Sequence, residues 1–212
     1  MQTPIKKSLN RKCKICAKKF TTQFFNVWWC SSQCGYELSM RLKEKAQAKE
    51  MKAKKAKMKD AIQTTTELRK LLQIEINAIV RAIDYGQRCI SSQRVSKTLQ
   101  AGHYFAAGSH LEIQFHLWNI HGQSVKDNYF EGGAQRKYRE NLIKIYGNEI
   151  FELIEMLPEM YRNLTWSKDE LKEAIKIARQ IFKDLPKNKT YSVTERIELR
   201  KTINDKLNLY LI

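Results

Sequence analysis

Two close pairs of cysteines, Cys13-x2-Cys16 and Cys30-x3-Cys34, bracket the string KKFTTQFFNVWW and constrain the start of this chain more than any other feature. Four thiolates in two close pairs are what tetrahedral Zn2+ takes from a chain that must turn back on itself, and loops this short suit a knuckle. A module of that size has too few residues for a core of its own, so the metal supplies folding energy. One structural Zn2+ per chain is expected, held by Cys13, Cys16, Cys30 and Cys34, with Phe20, Phe24, Phe25, Trp28 and Trp29 packed around it. Lys12, Lys14, Lys18 and Lys19 surround the cluster and are candidates for contact with a polyanion.

The formal net charge of +17 over 212 residues makes such a partner the natural expectation. Charge does not separate A-form RNA from DNA. Long apolar runs of membrane-spanning length are missing and MQTPIKKSLNRK lacks the apolar stretch of a signal peptide, so the reading is a cytoplasmic protein with no membrane partner. Cysteines in that compartment point to a metal site sooner than to disulfides.

Four regions follow from the patterning, in an α+β chain. Residues 1–38 are a basic arm and the knuckle. Residues 39–86 join a lysine-rich helix to an apolar-striped one. Positions 41 to 60 hold nine Lys or Arg against three Asp or Glu, so Lys52, Lys54 and Lys55 are further candidates for DNA contact, with a merely solvated face as the plain alternative. Leu68, Leu72, Ile76, Ile79 and Ile83 then recur at helical spacing until Gly86, a stripe that packs either on its own domain or on a second copy. Residues 87–147 bring short alternating segments, read as a hairpin of strands near 100 to 105 and 111 to 115, followed by a helix with Tyr138, Leu142 and Ile145 on one side. Residues 148–212 are helical, and SKDE at 167 to 170 is a capping box.

All four histidines fall between 103 and 121, and NIHGQSVKDN adds Asn119, Gln123 and Asn128. Hydrolysis of a phosphodiester needs a base for the proton of water and a hard cation for the charge on phosphate. An imidazole suits the first role, while Asn or His ligands without nearby thiolates favour Mg2+ or Mn2+ for the second. A lone histidine is more often a hydrogen-bonding group than a base.

The string CISS at 89 to 92, AGHY at 101 to 104, LEIQF, NIHGQ at 119 to 123 and the positions Gly132, Tyr138, Leu142 and Gly147 resemble the phage NinG, or Rap, recombination proteins, members of the HNH, or ββα-metal, endonucleases. The N-terminal knuckle fits the same family. The resemblance implies a ββα-metal core joined to the knuckle by a long helix, and cleavage of branched DNA, above all four-way Holliday junctions, by a cation-dependent homodimer in the host cytoplasm. It places His103 as general base and Asn119 as the residue that holds the loop. Asn128 becomes the closing metal ligand, and His121 a catalytic residue as second ligand or phosphate contact. The apolar stripe is the candidate dimer seam, and Arg136 and Lys137 join the DNA-binding residues.

The chain departs from the family in a pattern. Cys89 and Ser92 stand where relatives have a Cys-x2-Cys, and Ser124 and Asp127 stand in place of a second pair, so a second zinc is not expected and Cys89 becomes a small buried hydrophobe. Gly102 precedes the base where many HNH enzymes place a metal-binding aspartate. The expectation is therefore a metal-dependent endonuclease for branched DNA, with a non-catalytic zinc-containing DNA-binding protein as the alternative.

Overall fold

The computed structural model describes residues 8–210, the side chains at 56, 57, 59 and 60 excepted. The first seven residues of the expected basic arm lie outside this range. Contacts divide the chain between Gln63 and Thr64. The lysine-rich helix thus belongs with the knuckle and the apolar-striped helix with everything after it, a different partition from one joining the two helices across 39–86.

In the first unit, β1 (Leu9–Lys12) and β2 (Lys19–Thr22) pair antiparallel with Arg11 opposite Phe20. The helix α1 (Ser32–Ile62) begins where Ser31 accepts a hydrogen bond from the Cys34 backbone N–H. Its many Lys, Ala, Glu and Met residues favour helix without an apolar face to bury, and it stays exposed along most of its length.

The second unit opens with α2 (Thr65–Ile83), started by a reciprocal capping box between Thr64 and Glu67. Leu68, Leu72, Ile76, Ile79 and Ile83 are essentially inaccessible and belong to one core with Leu171, Ile175 and Ala178 of α5 (Lys168–Asp184) and Ile203 and Leu207 of α6 (Val193–Leu207). The apolar stripe is therefore spent inside its own chain and cannot serve as a dimer seam. The capping box at Ser167 and Glu170 starts α5 as the sequence indicates.

Strand β3 (Gln100–His103) pairs antiparallel with β4 (Ile120–Gln123), not with residues 111 to 115. The LEIQF segment instead holds a 3-10 turn at Leu111–Ile113, with Leu111 half exposed and Ile113 and Phe115 buried. Its alternation is a coincidence of composition, because the backbone there is held from outside. Arg69 donates to the Leu111 carbonyl and to the Gln114 side-chain oxygen, and the Phe115 N–H donates to the Tyr210 hydroxyl. After β4 the chain makes one wide turn of π-helix at Lys126–Phe130. Helices α3 (Gln135–Tyr146) and α4 (Asn148–Met160) then build a second core containing Tyr138, Leu142, Phe151 and Ile154.

A buried ionic cluster ties the hairpin to the helices. Asp84, the C-cap of α2, accepts from the Gly122 N–H at 2.7 Å and from Arg200 at 2.7 Å, while Arg200 also donates to the Ile120 carbonyl at 2.7 Å. Gly122 permits this approach, since a Cβ there would lie 3.0 Å from the Asp84 Cβ. Among the described residues, no helix is long and apolar enough to cross a membrane.

Candidate functional site

Cys13 follows β1 directly, Cys16 sits in the β1–β2 turn, Cys30 precedes α1 and Cys34 lies in its first turn. Their Sγ atoms all fall within 4.8 Å of one another, which fits one tetrahedral Zn2+. The Ile15 N–H points at the Cys13 sulfur at 3.4 Å, and Cys16 and Cys30 stand 3.3 Å apart. Crowding splits the titration of the thiols. Hydrogen bonding from the Cys16 backbone above all holds Cys13 down to about 6, whereas the bond with the Cys16 side chain pushes Cys30 up to about 12. Arg11 and Lys14 lie over the Trp28 ring at 4.0 and 4.4 Å, and Trp29 packs on Gly35. Phe24 and Phe25 are exposed rather than packed on the cluster. Lys12, Lys14, Lys18 and Lys19 are exposed around the knuckle, and Lys52, Lys54 and Lys55 along α1.

In the hairpin, residues paired across the strands share a face, so Gly102 and His121 lie on one side and His103 and Ile120 on the other. His103 ends β3, and its Nε2 lies 3.0 Å from the Gln114 carbonyl. A carbonyl only accepts, so the proton is on Nε2 and Nδ1 carries the lone pair. Burial lowers the His103 pKa from its ordinary 6.5, which favours the neutral ring. Asn119 fixes the loop that follows. Its fully buried amide accepts from the Phe105 N–H at 2.7 Å and donates to the Phe105 carbonyl at 3.0 Å, and its own carbonyl accepts from the Tyr104 N–H at 2.8 Å. His103 and Asn119 are thus brought to the same end of the hairpin.

The other candidates lie elsewhere. Asn128 donates to Gln100 at 3.0 Å, at the far end of β3 from His103. His121 is 1% exposed and faces Tyr138, away from His103. The two side chains lie on opposite faces of the hairpin, so His103 and His121 do not meet at one ligand or phosphate. Arg136 and Lys137 are exposed at the start of α3. Among the described residues, the four cysteines are the one group of His, Cys, Asp or Glu side chains gathered as metal ligands.

Position 102 does not accept the aspartate that many HNH enzymes have before the base, because a Cβ there would meet the Gln123 Oε1 at 2.0 Å and the Gln123 Cβ at 2.9 Å. Gln123 is fixed in that place by donating to Ser91 and to the Gly133 carbonyl, both at 2.6 Å. Where the sequence shows the remnant of a second zinc site, the structure has a hydrogen-bonded cluster. One Asp127 oxygen accepts from Ser92 and Ser124 at 2.6 Å and from Cys89 at 2.9 Å, and the Ser124 N–H donates to Cys89 at 3.1 Å. Cys89 is buried, as expected, but is a donor in a polar cluster and not an inert hydrophobe. The bonds pin the segment before β3 to the turn after β4, as a metal would.

Sequence reading missed the Gln114 carbonyl, a backbone group with no signature, and, although it placed Tyr138 on the packed side of its helix, the role of the Tyr138 hydroxyl, which donates to the Gly102 carbonyl at 2.9 Å. The signal for the Asp84–Arg200 cluster was present: Arg196, Arg200, Ile203, Asn204 and Leu207 share one helical face, and arginines on an apolar stripe announce a buried ionic partner.

A four-cysteine cluster, a long helix, a β-hairpin and C-terminal helices define an α+β protein with an N-terminal zinc-binding knuckle. The family profile described as Bacteriophage Lambda NinG protein matches residues 5–188. Protein ninG of Enterobacteria phage H19B is 32% identical over 194 residues, 84% of this chain and 95% of the relative. Protein ninG of Escherichia phage lambda and that of Salmonella phage P22 are each 30% identical over 196 residues with the same coverage. No solved structure matches. The chain belongs to the phage NinG family.

Proposed function

We propose that this chain is a structure-selective DNA endonuclease acting on branched DNA such as four-way junctions, with His103 as the general base. The observation that carries the reading is the His103 geometry: Nε2 is committed to the Gln114 carbonyl, leaving the lone pair of Nδ1 to take a proton. Nδ1 removes a proton from water, the oxygen attacks phosphorus, and the P–O bond to the departing strand breaks, its oxygen taking a proton from solvent. Asn119 positions the loop behind the base. Exposed Lys12, Lys14, Lys18, Lys19, Lys52, Lys54, Lys55, Arg136 and Lys137 are the candidates for phosphate contacts, consistent with the net charge of +17.

The resemblance also implies Mg2+ or Mn2+. The residues do not form a site for it: Asn128 offers one amide oxygen, the Asp127 oxygen is committed to three donors, and His121 faces away. No step is therefore routed through a cation. Symmetric cutting of a junction calls for two copies of the chain, joined by a surface other than the buried stripe.

The test offers a four-way junction and a linear duplex of the same sequence to the purified zinc-loaded protein, with Mg2+, with Mn2+ and with neither. The proposal expects paired cuts in the junction and little in the duplex. Binding of the junction without cleavage under all three conditions favours the non-catalytic DNA-binding reading, which the sparse cation ligands around His103 keep in view.

A further inference from the structure

His121 lines a cleft of about 470 Å3 on the face of the hairpin turned away from His103, together with Asp84, Arg88, Lys144, Tyr146 and Arg196. Three cationic side chains meet there with one carboxylate. That carboxylate is shared: one Asp84 oxygen accepts from Arg200 and from the Gly122 N–H, and the other lies 3.5 Å from Arg196 Nη1. Arg196 is 6% exposed, donates through Nη1 to Tyr146 at 2.8 Å, and has a buried Nε with no partner among the described residues. Two buried guanidiniums, Arg196 and Arg200, thus share one carboxylate, while Arg88 and Lys144 are exposed; the excess charge of the buried pair is costly, and the unpaired donor adds to that cost.

His121 adds the opposite need. Tyr138 gives its single hydroxyl proton to the Gly102 carbonyl at 2.9 Å, so at 3.1 Å it can only accept from His121 Nδ1. The proton is therefore on Nδ1, and Nε2 is a lone pair, buried and unpartnered. The cleft thus combines cationic donors for an anion with one acceptor that requires a hydrogen from the ligand. A phosphomonoester satisfies both: near its second pKa of about 6 it carries charged oxygens together with a P–OH. A phosphodiester in a strand interior and a sulfate dianion have no such hydrogen to give.

We infer that this cleft is a binding site for a phosphomonoester group, whether inorganic phosphate, a mononucleotide or the terminal phosphate of a strand, with Arg196, Arg88 and Lys144 holding the charged oxygens and His121 Nε2 accepting from the P–OH. The site does not depend on nuclease activity. Its occupant would brace β4, and with it the hairpin that carries His103.

The experiment follows the His121 ring nitrogens by NMR in the zinc-loaded full chain. It titrates inorganic phosphate, sulfate, a 5′ mononucleotide, and short oligonucleotides with either a 5′ phosphate or a 5′ hydroxyl, all at one ionic strength. The expected result is a saturable shift of Nε2 with phosphate and the phosphorylated probes, and binding of sulfate weaker by at least about tenfold because Nε2 stays unpaired. A response to free phosphate and mononucleotide marks a small-molecule site, and a response confined to the 5′-phosphorylated strand marks a strand end. Arg88→Glu with Lys144→Glu, both exposed positions, should abolish the shift while circular dichroism stays unchanged. The inference is overturned if Nε2 responds to none of the probes, if sulfate binds as well as phosphate, or if the double variant responds like the parent.

Discussion

Neutral histidines do different work on the two faces of one hairpin. His103 keeps its lone pair at the strand end, while His121 and His116 are buried, burial holding His116 down to about 3 and, with the Arg200 and Arg196 charges, His121 well below 6.5. In the unfolded chain both titrate near 6.5, so that state takes up protons the folded one refuses. Stability from these two groups is therefore complete above about pH 6.5 and declines as the pH falls below it, by about 1.4 kcal/mol per pH unit for each histidine while the folded ring stays neutral. Urea unfolding should show its midpoint dropping between about pH 7 and 5, a window that spans the titration of the unfolded histidines and lies above most carboxylates. A midpoint flat across that window would mean these rings accept protons in the fold. Asp127 is the other decisive residue: Asp127→Ala strands three donors and should cost roughly 1–3 kcal/mol in the same assay, whereas an unchanged midpoint would mean the cluster holds nothing together.

At the scale of elements, the sequence displayed whatever is local. The paired cysteines, the Ser167 capping box and the Leu68 to Ile83 stripe could each be read from spacing alone, because metal geometry, caps and helical periodicity act over a few residues. The partner of β3 could not be read. It lies beyond the loop 104–119, where LEIQF imitates a strand, and the choice of β4 rests on contacts from the far end of the chain: Arg200 bonds to Ile120 of β4, and Asn204 and Tyr210 bond to Leu117 and Phe115 of that loop. For the same reason the stripe was visible but its partner, α5, was not. Ile76→Ala should cost about 2–5 kcal/mol of stability as a core cavity, and light scattering should find the oligomeric state unchanged. Loss of an oligomer with little loss of monomer stability would return the stripe to an interface. Elemental analysis should give about one zinc per chain, and Cys34→Ser should lose it while α2 to α6 keep their cooperative unfolding. A second tightly bound zinc would contradict the hydrogen-bonded cluster at Cys89 and Asp127.

For the molecule as a whole, the proposed function assigns separable contributions to the net charge of +17 and to the His103 arrangement: the first would bring DNA to the protein, the second would act on a phosphate. Changing Lys52, Lys54 and Lys55 to Ala should weaken junction binding and flatten its salt dependence, with the cleavage rate at saturating protein close to normal. The converse variant bears on the central claim. His103→Ala removes one neutral ring, so junction affinity measured at fixed salt should stay near that of the parent, while single-turnover cleavage of a four-way junction falls by roughly a hundredfold or more. A His103→Ala protein that cuts the junction at the parental rate would contradict the assignment of His103 as the base.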